Sequence, residues 1–165
     1  MTTITLPADL VPVLARVGIH WPDGDETKLI ALGTAWQALG DRMAGLARDA
    51  DLQARTIWAC NFGAGIDAIR RVWTSPDAPV ATLRDGAEAA RQIAAGLFLA
   101  ARILVVYKLK VLAELTWVVV STAAMVRAAL LTRGASLLAI PFLPWIARRA
   151  IDELTNVAIG ELLNA

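Results

Sequence analysis

The residues whose types could do chemistry lie together near the N-terminus, in the stretch GIHWPDGDETKL from Gly18 to Leu29. His20 is the only histidine of the chain, and Asp23, Asp25 and Glu26 follow it closely. An imidazole beside carboxylates can bind a divalent cation or transfer protons. This chemistry is one of two interpretations of the stretch.

The other interpretation is the beginning of a long helix. Asp23 is then the N-cap, Glu26 is its capping-box partner three residues later, and Asp25 adds negative charge at the positive end of the helix dipole. Trp21 and Pro22 form the turn that leads into the helix. We favour this interpretation because this order of residues, followed by an apolar pattern, is typical of helix starts.

Little else in the sequence resembles a catalytic site. A single histidine excludes His-pair metal sites and makes any Ser-His-Asp triad depend on His20. The patterns G-x-S-x-G, Walker A and G-x-G-x-x-G are absent. The sequence therefore predicts a protein that is not an enzyme and that holds no metal and no cofactor. An enzyme built on His20 is the alternative.

The composition narrows the possible partners. The chain of 165 residues is 57% apolar, has a mean hydropathy of +0.55 and carries a net charge of +1. This charge is too small to attract nucleic acid, so nucleic-acid binding is not expected. The lone Cys60 forms no intramolecular disulfide and is expected to be a small buried side chain. The N-terminus lacks the basic and apolar regions of a cleavable signal peptide.

A membrane-spanning helix is disfavoured. The longest uncharged runs extend from Leu115 to Val126 and from Gly134 to Ala147, and the second contains Pro141 and Pro144. A spanning helix needs about 20 apolar residues. Association with a membrane stays open, and an apolar hairpin over 97–145 that inserts into a bilayer is an alternative function.

An apolar heptad pattern predicts one long helix from Asp25 to Trp58. Its apolar positions step by three and four residues alternately, which favours a helix packed lengthwise on another helix. Charged residues off this pattern, such as Asp41, Asp51 and Arg55, are expected to be solvated. This is the second predicted helix of the chain, α2, because an N-terminal helix precedes it. The residues of the pattern, which we call the α2 seam, are Leu29, Leu32, Trp36, Leu39, Met43 and Leu46.

The remaining chain also reads as helices separated by turns. A hairpin turn is predicted at Asn61, Phe62 and Gly63. The helix after this turn ends at Trp73, and prolines follow it. The next helix begins at Val80 with an alanine-rich pattern. Over 97–125 it becomes apolar on all sides, which predicts that this part is buried on all sides. After a turn at 132–136, a last helix is kinked near its prolines.

The predicted fold class is therefore all-α, an elongated helical hairpin or bundle of about five helices with a hydrophobic central helix. The chain is expected to be one domain over 1–165. Its parts are an N-terminal helix and turn (1–24), a helical hairpin (25–75), long apolar helices (80–132) and a C-terminal helix (135–165).

Over almost its whole length, and most specifically at the N-terminus, the chain resembles a known family, the Trp-x-Gly-like (WXG/ESX-type) N-terminal domains of type VII-secreted polymorphic toxins. Those domains begin with a Leu-Pro helix, a Trp-Pro turn, an acidic helix start and an Ala-Trp seam. Their counterparts in this sequence are Leu6-Pro7, Trp21-Pro22, Asp25-Glu26 and Ala35-Trp36.

The chain departs from the family at its hairpin turn. The turn reads Asn61-Phe62-Gly63, where the signature has Trp-x-Gly. The tyrosine-x-x-x-acid export signal is also absent, because Val111 stands four residues after Tyr107. Trp73 and Asp77 have an aromatic-x-x-x-acid spacing, and they are the candidate export element.

The resemblance implies a non-catalytic domain for secretion and partner binding. Its implied partners are small WXG-type helical-hairpin proteins, which would bind the α2 seam, and the type VII secretion machinery. A toxin cargo would follow at the C-terminus of the parent protein. The implied location is cytoplasmic before export and then secreted without a cleavable signal peptide, with cell-envelope association open.

Overall fold

The computed structural model describes residues 3–129 and 131–163, apart from the side chain of Leu162. Within these ranges there are five α-helices and no strand, which confirms the predicted all-α class. The helices are α1 (Val11–Val17), α2 (Glu26–Cys60), α3 (Ala64–Trp73), α4 (Pro79–Ala128) and α5 (Leu143–Leu163). Two 3-10 segments, Ala8–Leu10 and Ala135–Phe142, precede α1 and α5.

Asp25, rather than the predicted Asp23, is the N-cap of α2. The helix begins at Glu26, and Oδ1 of Asp25 accepts hydrogen bonds from the backbone N–H groups of Thr27 and Lys28 at 3.0 and 3.1 Å. Glu26 is the first residue of the helix, so it is not at the capping-box position. The predicted capping box of Asp23 and Glu26 is therefore wrong, because the N-cap lies two residues later than predicted.

The predicted hairpin turn separates α2 from α3. Asn61 donates a side-chain hydrogen bond to the Ile57 carbonyl oxygen at 2.8 Å, where α2 ends. Gly63 precedes α3 with φ of 116°, a conformation that L side chains rarely adopt. Cys60 is exposed at this end of α2, so the prediction that it is buried is wrong.

The chain divides into two compact units. The first combines the residues up to Lys28 with those from Leu99 onward, and the second is Leu29–Phe98. The core of the first unit joins α1, α4 and α5 through buried apolar side chains. These are Leu14, Val17, Val111, Leu115, Val118, Leu143, Ala147 and Ile151.

Small residues bring α2 and α4 close together in the second unit. A Cβ atom added at Gly40 would lie 2.9 Å from the Ala87 carbonyl oxygen, and one added at Gly33 would lie 2.8 Å from the Phe98 ring. Both glycines are buried. The buried residues of α2 recur every seven positions, at Gly33, Gly40, Ala47 and Ala54, and those of α4 are Val80, Ala87, Ala90 and Ala94.

The α2 helix thus packs lengthwise on α4, as the heptad pattern predicts, but through glycine and alanine. Among the larger residues of the α2 seam, Leu32 is 49% exposed, Leu39 44% and Leu46 60%. Large side chains at these positions would hold two helices apart, whereas glycine lets the backbones approach. The internal contact therefore lies beside the α2 seam.

Charged residues along α2 follow the prediction only in part. Asp41 is exposed and pairs with Arg91 of α4 at 2.9 Å, whereas Asp51 is half-buried. Exposed pairs of this kind contribute about 0–1 kcal/mol. The close helix contact therefore depends on the small residues more than on the ion pairs.

The apolar part of α4 is buried on one face only. Val111 and Leu115 are fully buried, whereas Val120 is 61% exposed. The prediction that 97–125 is buried on all sides is therefore wrong for half of its surface. The predicted last helix, kinked near its prolines, is instead a 3-10 segment that contains Pro141, followed by α5. Pro144 stands in the first turn of α5, where its missing N–H costs nothing.

Gly40→Ala should lower the free energy of unfolding by about 1–3 kcal/mol, because the new methyl group meets the backbone of α4 and overpacks the contact. Gly45→Ala in the same helix is the matched control, since nothing lies within 4 Å of its added Cβ. It should raise stability by about 0.5–1 kcal/mol through helix propensity. Urea unfolding of both variants measures the difference, and equal stabilities would contradict the close contact.

Candidate partner-binding surface

A buried ion pair organises the helix-start segment. The side chain of Lys108 on α4 is 1% exposed, and its Nζ donates to Oε2 of Glu26 at 2.7 Å. The same ammonium donates to the backbone carbonyl oxygens of Gly24 at 2.7 Å and of Ile4 at 3.1 Å. Oε1 of Glu26 accepts a hydrogen bond from the backbone N–H of Ile4. Both carboxylate oxygens and all three ammonium protons therefore have partners.

The charge of Glu26 is stabilised by these contacts. Burial by itself would raise the pKa of the carboxyl, but the hydrogen bonds from the Ile4 N–H and the Lys108 ammonium outweigh it. The pKa of Glu26 is therefore lowered from its ordinary value of 4.5. Glu26 is ionised at neutral pH, and the pair is a salt bridge and not a neutral hydrogen bond.

The other residues of the stretch GIHWPDGDETKL differ in how far they are buried. Trp21 is half-buried against the core of the first unit, and its ring centroid lies 5.9 Å from Nζ of Lys108. Pro22 is half-buried, whereas His20 and Asp23 are exposed. In the described parts of the chain, no three His, Cys, Asp or Glu side chains come together as a metal site would require.

Asp25 connects the N-terminal segment to the helix start. Besides capping α2, its Oδ1 accepts a hydrogen bond from the Thr3 hydroxyl at 2.9 Å. Its pKa is lowered, first by the hydrogen bond from the Lys28 backbone N–H and then by the one from Thr3. Asp25 and Glu26 thus lie at the start of the helix and hold the preceding segment against it.

Lys108 is a residue that sequence reasoning missed. It stands seven positions after Ala101 and seven before Leu115, and both of these are buried. A lysine in a heptad line of buried small and apolar residues signals a buried charge that needs an acidic partner. That spacing could have pointed to Lys108, but nothing in the spacing identifies Glu26 as the partner.

The hairpin turn and the candidate export element lie in the second unit. Phe62 is 90% exposed, with Asn61 and Gly63 exposed beside it. Trp73 is half-buried against Ala47 and neighbouring apolar residues, and Asp77 is exposed. The ring of Trp73 therefore takes part in the packing of the unit.

Asp51 holds the indole of Trp73 in place. The Trp73 Nε1–H donates to Oδ1 of Asp51 at 3.3 Å, and Arg55 and Arg84 pair with Oδ2 of the same carboxylate at 3.1 and 3.5 Å. The pKa of Asp51 is lowered, first by the indole hydrogen bond. This cluster joins α2 to the end of α3 and to α4.

The α2 seam, which the sequence predicts to bind a partner, is partly exposed on the second unit. Leu32, Leu39 and Leu46 recur every seven residues and are about half exposed, while Leu29, Trp36 and Met43 beside them are half-buried. A stripe of leucines at this spacing can accept the apolar edge of another helix.

The chain matches a known protein family. The family model described as "WXG100 like domain" matches residues 5–150. This match spans most of the 165 residues, so the chain belongs to the WXG100-like family. No curated protein and no solved structure matches the chain.

Lys108→Met should lower the free energy of unfolding by about 3–5 kcal/mol, because Glu26 would remain buried as an unpaired charge. Adding Glu26→Gln to Lys108→Met should recover much of this loss, since no buried charge is then left. Lys110→Met, an exposed lysine two positions away, is the control and should change stability little. Urea unfolding of the native chain, Lys108→Met, Glu26→Gln and the double variant measures the coupling, and additive effects of the two substitutions would contradict it.

The buried pair also predicts a pH dependence. Because the pKa of Glu26 is lowered in the folded state, the unfolded chain binds more protons as the pH falls below 4.5. The stabilisation is fully present above that pH and is lost as the pH falls through the folded pKa. Unfolding free energies measured from pH 7 to pH 3 should therefore fall more steeply for the native sequence than for Glu26→Gln. Parallel curves would contradict this assignment.

Proposed function

We propose that this chain is a non-catalytic targeting and partner-binding domain of a protein exported by type VII secretion. Membership in the WXG100-like family associates the chain with this secretion system and, in general, with helical-hairpin partners. The proposal adds the surface that such a partner would use, which is the α2 seam.

The observation that carries the proposal is the division of α2 into two faces. One line of small residues, which includes Gly33 and Gly40, is already covered by α4. The adjacent line of Leu32, Leu39 and Leu46 is left about half exposed. A helix of a second protein could pack on the leucines without displacing α4, since the two lines lie side by side and not on the same positions.

The expected partner is a small WXG-type hairpin protein, because a long helix of such a protein could follow the seven-residue spacing over several turns. Complete burial of one leucine is worth about 1.5–3 kcal/mol, so a few half-exposed leucines with a central tryptophan could supply useful binding energy. Trp36 lies at the middle of the seam and is the side chain of the type most often found at binding hot spots.

The proposal extends to export and cargo. In the parent protein the domain would precede a C-terminal toxin, and the assembled helices would be recognised by the secretion machinery before release from the cytoplasm. Trp73 and Asp77 are the candidate export element, and the turn Asn61-Phe62-Gly63 corresponds to the family's signature turn. The exposed Phe62 is available for contact with another protein.

The alternative function was a bilayer-inserted hairpin over 97–145. Among the described residues, none of the helices combines the length and the apolar character that crossing a membrane requires.

Leu39→Asp should weaken binding to the hairpin partner by at least roughly thirty-fold, because a charge would be buried in the interface. Leu52→Asp is the matched control, since Leu52 is 62% exposed and lies on the other flank of α2 by helical periodicity. The partners to test are small hairpin proteins encoded beside this chain, co-expressed with it and captured through a tag. Calorimetric titration then gives the affinities.

Retained affinity in Leu39→Asp, or the same loss in Leu52→Asp, would contradict the α2 seam as the interface. Circular dichroism of each variant alone checks that the helices still form. Because Leu39 is not part of the buried cores, both variants should remain folded.

A further inference from the structure

The connection between α4 and α5 exposes an unusual amount of apolar surface. Leu131 is 89% exposed, Leu138 75%, Phe142 63% and Trp145 61%. We call these four residues, together with Leu137 and Ile146, the apolar tip. All six belong to the first unit. None of the six belongs to the buried core of this unit. Leu143, Ala147 and Ile151, which are close to them in sequence, do belong to it.

The charged residues in the part of the sequence that contains the apolar tip are all arginines. Between Glu114 and Asp152 the sequence contains four arginines, Arg127, Arg133, Arg148 and Arg149, and no Asp, Glu or Lys. The whole chain has a net charge of only +1, so positive charge is concentrated here. All four arginines are exposed. Arg148 approaches Asp152 at 4.0 Å, an exposed contact that is worth little.

Several polar groups of the connection have hydrogen-bond partners within the chain. The Ser136 hydroxyl donates to the Met125 carbonyl oxygen at 2.9 Å, and the Ser136 backbone N–H donates to the Thr132 hydroxyl at 3.2 Å. The Gly134 N–H donates to the Ala129 carbonyl oxygen at 2.9 Å. Ser136 is the only residue of the segment Ala135–Phe142 with a polar side chain. Such a segment can enter an apolar environment with little loss of hydrogen bonding.

We propose that the apolar tip binds peripherally to an anionic lipid surface. Phe142 and Trp145 would enter the interface between headgroups and acyl chains, where aromatic side chains are enriched. The arginines would lie at the level of the anionic headgroups. The guanidinium of Arg149 lies 6.0 Å from the centre of the Trp145 ring, so the aromatic and the cationic group already stand together.

The charges favour a lipid surface over a second copy of the chain. A symmetric dimer through the apolar tip would bring the same arginines of two copies toward each other, and no acidic residue of this segment could compensate them. An anionic membrane surface is complementary in charge and also accepts the leucines. This proposal does not depend on the α2 seam or on the proposed function.

The experiment measures flotation of the full chain with vesicles. The vesicles contain either phosphatidylcholine alone or an equal mixture of phosphatidylcholine and phosphatidylglycerol. The native chain should bind the mixed vesicles and not the neutral ones, and added salt should weaken the binding. The double variant Phe142→Ser/Trp145→Ser should bind at least about ten-fold more weakly, because its apolar contact is removed. Phe62→Ser, at another exposed phenylalanine, should bind as the native chain does.

A matched pair of arginine variants tests the electrostatic part. Arg148→Gln/Arg149→Gln should weaken binding roughly twenty-fold, since each arginine near an anionic surface contributes about a five-fold factor. Arg70→Gln/Arg71→Gln is the control, because Arg70 also lies over a tryptophan ring, that of Trp58 at 5.6 Å. It should leave binding unchanged. These variants keep the apolar tip intact, so they test the proposal even if the Phe142→Ser/Trp145→Ser protein fails to fold.

Several results would overturn the proposal. They are an absence of binding to the mixed vesicles, equal binding to both vesicle types, and a loss of binding in a control variant as large as in the variant that it is matched to. A native dimer that ignores vesicles and is dissociated by Phe142→Ser/Trp145→Ser would also overturn it, since the tip would then be an interface between copies. Capture of the hairpin partner through the α2 seam is measured separately, so the failure of one proposal is distinguishable from the failure of the other.

Discussion

The buried salt bridge between Lys108 and Glu26 is the constraint on which the first unit depends. An ammonium group out of contact with water needs several oxygen partners, and Lys108 obtains them from Ile4, Gly24 and Glu26. These three residues come from the N-terminal segment, from the loop before α2 and from the start of α2. The ion pair therefore fixes where α2 begins, and Asp25 caps the helix at that point. Apolar packing alone would not define this position so narrowly.

The second unit depends on a different constraint, the size of the side chains between α2 and α4. Glycine and alanine at every seventh position of α2 allow the two backbones to approach closely. As a result, α4 covers the small residues and leaves Leu32, Leu39 and Leu46 about half exposed. These leucines are the residues that we propose for the external partner. In that proposal, stability and recognition use adjacent lines of the same helix.

The high apolar content of the chain has its explanation in these exposed surfaces. A composition of 57% apolar residues exceeds what the buried cores contain. Much of the excess lies on the α2 seam, on the outer face of α4 and at the apolar tip around Phe142 and Trp145. The first of these surfaces follows a helical repeat, which suits a protein helix. The last lies in a part of the sequence whose charged residues are all arginines, which suits an anionic surface.

The sequence by itself determined the helices, the turn at Asn61-Phe62-Gly63 and the helix start after Trp21-Pro22, because these depend on local apolar periodicity and on residues that stop or cap helices. It also carried the resemblance to the family that the chain belongs to. Only the tertiary structure decided which face of α2 is internal and which acid caps it, since both depend on how closely other segments approach. It also decided the partner of Lys108, because Glu26 is distant in sequence and only the folded chain brings the two charges together.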